Sequence, residues 1–452
     1  MDKQIIEKLE AISGSEYVLS RDFELVAYSR AWSYEKPRLA DVIVIPASTE
    51  EVSQIVKLAN EVKTPVCVRG GGTTTTGMSL PREAGIVLDL NRMDKIEEID
   101  EGSMTVTMQS GASVYEIIKF VEKRGWKIPL KPEFGSGVPI AGWTAFNGIG
   151  AGGSIYGRVA DMVVGLEVVL PTGEIVNTGA TSFSTCKQFS RYVGTGPDLT
   201  GLFVNALGTT GIITGETLRV YRIPEAEFFI GYGFDTAEEA QKGIQILTEA
   251  NISYGITLFD DHMCRNNNLP EFAPYIVHMF AEGYQEEVDF RLKKGKELLE
   301  KAGIGKEIPD AIPLLWGGVE GMSSRIKPAV RLICVGGFHP LDITAEVLHA
   351  YNRVGDKHNF RRGMVWWVIN NYANVFPIYI YDEQTELDKV IEAGQDLREE
   401  WSKIGCAPDY PGPNPDITSW ITPEYHALYS KIKKSLDPNN IIHRGMSPIV
   451  EY

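Results

Sequence analysis

This 452-residue chain predicts an α+β protein built from two units and a tail. Three observations predict it. From about residue 40 to about 222, short apolar runs alternate with helix-patterned segments. From about 223 to 430 the texture changes to longer helices set between broad strand-like runs. The last stretch, "LDPNNIIHRGMSPIVEY" (436–452), is turn-rich and ends in a short apolar tail.

The elements follow in order. "MDKQIIEKLEAISG" is a polar amphipathic helix without a cleavable apolar region. "ADVIVIP" (40–46) is a continuous apolar run, as for a strand buried on both faces. Ser48 and Glu51 have capping-box spacing and open a helix with Val52, Ile55, Val56, Ala59 and Val62 on one side. "TPVCV" (64–68) and "GIVLDL" (85–90) are the next strands, and the alternating "MTVTMQ" (104–109) is a half-exposed one. Ser113 and Glu116 repeat the capping spacing ahead of a helix ending near Gly125. "MVVGLEVVL" (162–170) and "EIVNTG" (174–179) read as strands joined by a tight turn. In the second half, 236–250 and 285–303 are helices, while "MVWWVIN" (364–370) and "VFPIYIYD" (375–382) are the clearest strands.

A net charge of -16 makes nucleic acid and anionic membranes poor partners. Five scattered cysteines without a C-x-x-C pair give neither a disulfide framework nor a cluster site and suit a reducing compartment. No apolar stretch reaches membrane-spanning length, so the expected location is cytoplasmic.

Three glycine-rich passages carry the chemistry: "VRGGGTTTTG" (68–77), "AGWTAFNGIGAGGSIYGR" (141–158) and "GPDLTGLFVNALGTTGIITG" (196–215). The second contains a literal G-x-G-x-x-G. A Rossmann site needs a strand before it, a helix after it and an acidic residue about twenty positions on, and the flanks supply none of these. No Walker A lysine pattern is present either. What remains is a set of loops rich in bare amides and hydroxyls, which suits an anion held without lysine. Each loop taken alone is equally well read as a tight strand connection.

In this order the passages resemble the FAD-linked oxidase family. That is the vanillyl-alcohol oxidase and p-cresol methylhydroxylase superfamily, which includes D-lactate dehydrogenases and glycolate oxidase subunits. The likeness is carried by "IVIPASTEEVSQIVKLANE", the three glycine passages with their following strands, and "LDPNNIIHRG". It implies a two-subdomain PCMH-type FAD-binding domain over 38–224 and an α+β cap over 225–430. A helical segment, 1–37, precedes them, and 431–452 returns to the FAD domain. It implies FAD as cofactor. The diphosphate would be wrapped by Arg69, Gly70, Gly71, Gly72, Thr73, Thr74, Thr75, Thr76, Gly77, Met78 and Ser79. Gly142, Ala145, Asn147, Gly153, Tyr156 and Gly157 would line the flavin and its ribityl chain. Gly208, Thr209, Gly211, Ile212 and Thr214 would flank the adenine half or the isoalloxazine edge. Arg69 either meets the diphosphate or pairs with a core carboxylate.

The hydroxy-acid branch of the family carries G-H-x-G-D-G-N-x-H on a cap strand and a later E-H-G, associated with a divalent metal. Here the corresponding stretch is "VINNYANVF" (368–376), with Ile369 and Phe376 at the histidine positions, and "GCAPDY" (405–410) replaces E-H-G. His339, His349 and His358 have no shared helical turn, so no metal is expected. Substrate contacts then fall to Trp366, Trp367, Asn370 and Arg361, with Tyr372 and Asn374 as catalytic candidates. The tryptophans also read simply as packing between cap and flavin domain. His443, in the tail signature, reads as a general base, a flavin-stabilising group, a covalent attachment point or a plain surface histidine.

The resemblance implies an FAD-dependent dehydrogenase that oxidises a CH–OH donor, a 2-hydroxy acid or a hydroxylated aromatic. Electrons would pass to a separate acceptor protein, a quinone or oxygen, and oligomers are compatible. The alternatives are a phenolic side-chain oxidase of the p-cresol type, a non-redox synthase of the alkyldihydroxyacetone-phosphate branch, or an FAD-holding electron-transfer subunit.

Overall fold

The computed structural model describes residues 1–31, 33, 35–74, 77–130, 137–194, 196–266, 270–308, 330–334, 336–408 and 420–445. The first apolar runs make a small sheet of β1 (Val18–Leu19), β2 (Val42–Val44), β3 (Val66–Arg69) and β4 (Ile86–Asp89), ordered β1-β2-β4-β3. β2, β4 and β3 run parallel, and β2 and β4 are buried along their whole length, as uninterrupted apolar runs require. Helices α1 (Lys3–Ser13) and α2 (Asp22–Tyr28) precede β2, and α3 (Thr49–Val62) follows it. Ser48 Oγ accepts from the Glu51 N–H at 3.2 Å and caps α3. Val52, Ile55, Val56 and Ala59 of α3 then pack with Leu9, Val42, Val44 and Leu88. Each such aliphatic side chain contributes about 1.5–3 kcal/mol by leaving water.

A second, antiparallel sheet is ordered β5-β6-β10-β8-β9. Its strands are β5 (Ile96–Asp100), β6 (Thr105–Gln109), β8 (Val163–Val169), β9 (Ile175–Asn177) and β10 (Ile212–Arg219). Between them fall α4 (Val114–Glu122), β7 (Trp126–Lys127) and the one-turn helices α5 (Ile140–Ala145), α6 (Gly153–Tyr156) and α7 (Val159–Met162). Ser113 occupies the N-cap of α4, but its side chain makes no capping bond, so the spacing marked the helix start and not the interaction. β11 (Tyr221–Arg222) pairs with β7 and leads out of this half.

The second half is one large sheet. Its strands are β12 (Ala226–Phe234), β13 (Gly255–Asp260), β14 (Tyr275–Gly283), β15 (Lys306–Glu307), β16 (Val330–Cys334), β17 (Gly337–Pro340), β18 (Arg361–Ile369), β19 (Tyr372–Asp382) and β20 (Ala407–Pro408). The order is β15-β12-β14-β13-β18-β19-β17-β20, with β16 beside the far half of β19. Helices α8 (Ala237–Glu249), α10 (Gln285–Ala302), α11 (Thr344–His358) and α12 (Leu387–Lys403) belong to the core on one face, with α9 (Asp261–Asn266) at the end of β13. Leu247, Leu299, Leu348, Trp366 and Trp401 fill that helix-covered side. The other face carries Phe259, Ile276, Val365, Trp367 and Ile369, and it closes over Ala151 and Ile149 from the second glycine passage.

The chain returns through α13 (Pro423–Leu436) to the first sheet. Ile442 bridges Val66 in parallel, so the tail lies alongside β3. The fully buried Lys433 ammonium donates to Asp437 Oδ2 at 2.5 Å, to the Thr209 carbonyl at 2.7 Å and to the Ile442 carbonyl at 2.9 Å. Asp437 in turn accepts from the Ile441 and Ile442 amides. Burial of a charge is tolerable here because both ions are paired and their remaining hydrogen-bond sites are filled.

Candidate active site

The three glycine passages and the tail signature meet in a ring. The first loop leaves β3, and its backbone lies directly on 137–139. A Cβ at Gly71 would run into the Gly137 carbonyl, and one at Gly70 would lie 3.0 Å from Pro139 Cγ. Pro139 caps α5, and the Ala145 carbonyl at its end accepts from the Leu207 N–H at 3.0 Å. Next to Leu207, Gly208 leaves the space that His443 fills: a Cβ there would sit 3.0 Å from His443 Nε2. His443 then closes the ring onto β3. Its N–H donates to the Val66 carbonyl at 2.8 Å, and its Nε2 accepts from the Val68 N–H at 3.2 Å.

Around this ring the predicted residues divide. Gly72 (φ 64°) and Gly77 (φ 73°) hold left-handed turns of the first loop, Thr73 and Thr74 are half-buried on it, and Met78 packs on Cys67 and Val87. Ser79 Oγ is buried with no hydrogen-bond partner among the described residues. Thr75 and Thr76 lie outside the described residues. Arg69 turns back to the N-terminal segment, donating to the Arg30 carbonyl at 3.0 Å and the Tyr28 carbonyl at 3.4 Å. Burial holds its guanidinium below the ordinary arginine range, with Asp89 opposing. Gly142 is the open position: it is exposed, and a Cβ on it would meet nothing within 4 Å. Its neighbours Trp143 and Thr144 are buried. The ring therefore surrounds a cradle floored by the backbone of α5.

Other predicted residues brace this cradle. Asn147 (φ 51°) accepts at Oδ1 from the Ala160 N–H, and a Cβ on Gly157 would run into the Asp161 carboxylate. Tyr156 reaches from α6 to the second half, donating to Glu282 Oε1 at 2.6 Å. Thr209 Oγ1 bonds the Ala206 carbonyl and Tyr429, Gly211 lies against Phe203, Ile212 is core, and Thr214 donates to Glu167 Oε1 at 3.0 Å. Asn147, Tyr156, Thr209 and Thr214 thus brace the surrounding elements through their side chains.

Of the roles read for it in the sequence, His443 departs from that of a surface histidine. It is 5% exposed, and burial depresses its pKa to about 3. Because Nε2 accepts from Val68, the proton of the neutral ring sits on Nδ1, which is buried without a partner among the described residues. Such a ring offers no free base. It locks the tail to the first loop.

Above the cradle lies the face of the large sheet opposite α8, α10, α11 and α12, which at its far end also packs α9. Strand register aligns His278, Thr257, Trp367, Asn374 and Phe338 in one row, and directly paired residues share a face. That face meets the second glycine passage at several points. A Cβ on Gly255 would lie 3.0 Å from the Gly152 nitrogen, one on Gly153 would lie 3.4 Å from Ile369 Cγ1, and the Asn370 N–H donates to the Gly153 carbonyl at 3.1 Å. Tyr372 is half-buried with its ring 6.2 Å from Phe338. Asn374 is fully buried, donates to the Gly337 carbonyl at 3.0 Å and keeps Oδ1 unpartnered among the described residues.

The structure separates two of the predicted substrate residues from this group. Trp366 faces the helix-covered side, because it alternates with Trp367. Arg361 binds Asn266 Oδ1 at 2.7 Å from the opposite end of β18, about 27 Å from the hairpin tip at ~3.4 Å per residue. Ile369 and Phe376 are hydrocarbon and offer no metal ligand atom. Elsewhere, on the helical side, ligand atoms of His358, Glu392 and Asp396 lie within 4.8 Å of one another, but the Lys357 ammonium already sits 2.6 Å from Asp396 Oδ2.

Sequence reasoning missed three residues. Thr257 and His278 are buried in the row with Oγ1 and both ring nitrogens unpartnered among the described residues, and burial takes the His278 pKa to about 3. Arg158 crosses from the second glycine passage to the row, its guanidinium carbon 4.8 Å from the Phe338 ring centre. The signal for Arg158 was a cation directly after the glycines of "SIYGR".

A lysine-free ring of amides and hydroxyls around an open backbone floor fits an FAD, with its diphosphate held by the first loop. The fold and cradle define a flavin-binding oxidoreductase of the PCMH type. A family described as FAD binding domain matches residues 40–179. The chain is 32% identical to the glycolate oxidase subunit GlcD of Bacillus subtilis, across 98% of this chain and 96% of that protein. It is 30% identical to the mitochondrial D-lactate dehydrogenase [cytochrome] of Arabidopsis thaliana over 63% of this chain and half of that one. In fold it matches p-cresol methylhydroxylase with substrate bound at a TM-score of 0.87 and 19% identity, covering 99% and 96% of the two chains. The chain belongs to the FAD-linked oxidase family, and FAD is its cofactor.

Proposed function

We propose that this protein oxidises the CH–OH group of a 2-hydroxy acid of the glycolate or D-lactate type. The observation that carries this reading is the likeness to the glycolate oxidase subunit along practically the whole of both chains. Bound in the cradle, FAD supplies the acceptor for the hydride leaving the substrate carbon. The chain's own contribution is placement. The ring fixes the cofactor, the hairpin tip at Asn370 docks the large sheet on Gly153, and the Phe338–Asn374–Trp367 row walls the substrate space against water. Tyr372 and Asn374 are the polar side chains we assign to the substrate. His443 holds the first loop in position. Electrons leave for a separate acceptor, a protein or a quinone, and we place the enzyme in the cytoplasm. No helix among the described residues is long and apolar enough to cross a membrane.

The aromatic character of the row favours a second reading, an aryl-alcohol donor. Anaerobic addition of D-lactate, glycolate or 4-hydroxybenzyl alcohol to the yellow holoprotein separates them. Bleaching of the flavin by the acids is the expected result. Bleaching by the aryl alcohol alone, or by none, overturns the 2-hydroxy-acid reading.

A further inference from the structure

We propose that Arg158 is the anchor for the carboxylate of the substrate, an inference that rests on the 2-hydroxy-acid reading. A 2-hydroxy acid brings a full negative charge into a water-poor space, and a cation must meet it there. The family's metal is the usual answer, and the positions that would bind it are Ile369 and Phe376 here. Arg158 is 8% exposed, and although the Asp161 carboxylate accepts from its backbone N–H at 2.8 Å, no carboxylate among the described residues forms an ion pair with its guanidinium. Its Nε donates to the Asn147 carbonyl at 2.6 Å, and its plane lies by Phe338. Those contacts fix the stem and orient the group. Neither terminal nitrogen has an acceptor among the described residues, so the two-pronged end of the fork is left for an anion. A planar guanidinium binds a carboxylate through two parallel N–H···O bonds, which also sets the substrate's orientation.

Position distinguishes this anion from the cofactor's diphosphate. The first loop packs on 137–139 at one end of α5, whereas Arg158 holds Asn147 beyond the other end. The six residues of α5 span about 9 Å at ~1.5 Å per residue. Arg158 also faces the side of the row where Asn374 and Tyr372 lie, since Phe338 pairs with Asn374 and its ring adjoins Tyr372. One arginine therefore ties the flavin floor to the cap wall and points its free donors between them.

The test compares the FAD-loaded wild type with Arg158→Gln and Arg158→Lys, using D-lactate and its uncharged analogue D-lactamide. Arg158→Gln should lower kcat/KM for D-lactate by about 100-fold while changing that for D-lactamide little, and Arg158→Lys should fall between. Because the readout is a ratio within one preparation, a loss of folded protein does not imitate it. Oxalate, which cannot be oxidised by hydride loss, should perturb the wild-type flavin spectrum and leave that of Arg158→Gln unchanged. The proposal is overturned if Arg158→Gln keeps the preference for D-lactate over D-lactamide, or if it folds but no longer retains FAD. If the wild type ignores both hydroxy acids and is bleached by the aryl alcohol, the underlying reading fails first and this one with it.

Discussion

Gly142 shows how one missing side chain shapes the site. It lies within a helical turn, where glycine is worth about 1 kcal/mol less than alanine, and among the described residues no atom lies within 4 Å of where its Cβ would be. A Cβ there would project into open space at the floor of the cradle. Stability and binding therefore pull in opposite directions at this position. Gly142→Leu should leave the apoprotein at least as stable to heat as the wild type, because leucine is a better helix former than glycine and its Cβ has open space around it among the described residues. The same change should weaken FAD binding by about tenfold or more, the cost of forcing a side chain into an occupied space. Thermal melts of apoprotein with a flavin titration check both halves. A destabilised apoprotein that still binds FAD normally would remove Gly142 from the cofactor site.

At the scale of elements, the tail is held by the buried Lys433–Asp437 pair, and through it the ring is closed. Lys433 is 2% exposed at its side chain and Asp437 not at all, and burial lowers the lysine pKa while Asp437 raises it again. Removing one partner strands the other charge, so Asp437→Ala should cost about 3–5 kcal/mol. It should also loosen FAD, because Ile441 to His443 lose the amide contacts that set them beside β3. Measuring denaturant midpoint and flavin retention together tests it, and a stable variant with full flavin would show that the tail is held by other contacts. These elements were largely legible in the sequence. Apolar runs marked β2, β3, β4, β8, β18 and β19, because burial of a strand needs local residues only. The glycine passages were legible because glycines report where a backbone must come close, but the helix α5 within the second was read as loop. The cap side of the site was not. Which of Trp366 and Trp367 faces the flavin follows from strand alternation only once the sheet's two faces are known, and the His278–Thr257–Trp367–Asn374–Phe338 row is a product of register between distant strands. Arg158 was visible as a residue, but that no carboxylate among the described residues forms an ion pair with its guanidinium is a fact of three dimensions.

Across the whole molecule, buried titratable groups of two kinds set the pH of greatest stability. His278 and His443 are held at about 3 and His339 at about 4, all by burial, against an ordinary value of 6.5. Glu216 is raised to about 8 and Asp260 to about 7, again by burial, from 4.5 and 3.8. The histidines are neutral when folded and charge when the chain unfolds below 6.5, so they remove stability as pH falls through that value. The carboxyls stay protonated when folded and ionise when the chain unfolds, so their contribution is greatest below 4.5 and is lost as pH rises towards 7 and 8. Between about 4.5 and 6.5 the three histidines outweigh the two carboxyls by one proton, and stability climbs by about 1.4 kcal/mol per pH unit. Above 6.5 only the carboxyl effect remains, and stability falls. The melting temperature should therefore peak near pH 6.5, below the neutral range. Glu216→Gln isolates one contribution, since Thr144 Oγ1 is its hydrogen-bond partner and the amide keeps an acceptor for it. Relative to wild type, this variant should gain stability steadily from about pH 5 to about pH 8, because the loss that ionisation of the unfolded Glu216 causes is gone. Parallel melts of the two proteins over that range decide it: curves that stay a constant distance apart would mean that Glu216 is ionised in the folded protein, with a partner for its charge.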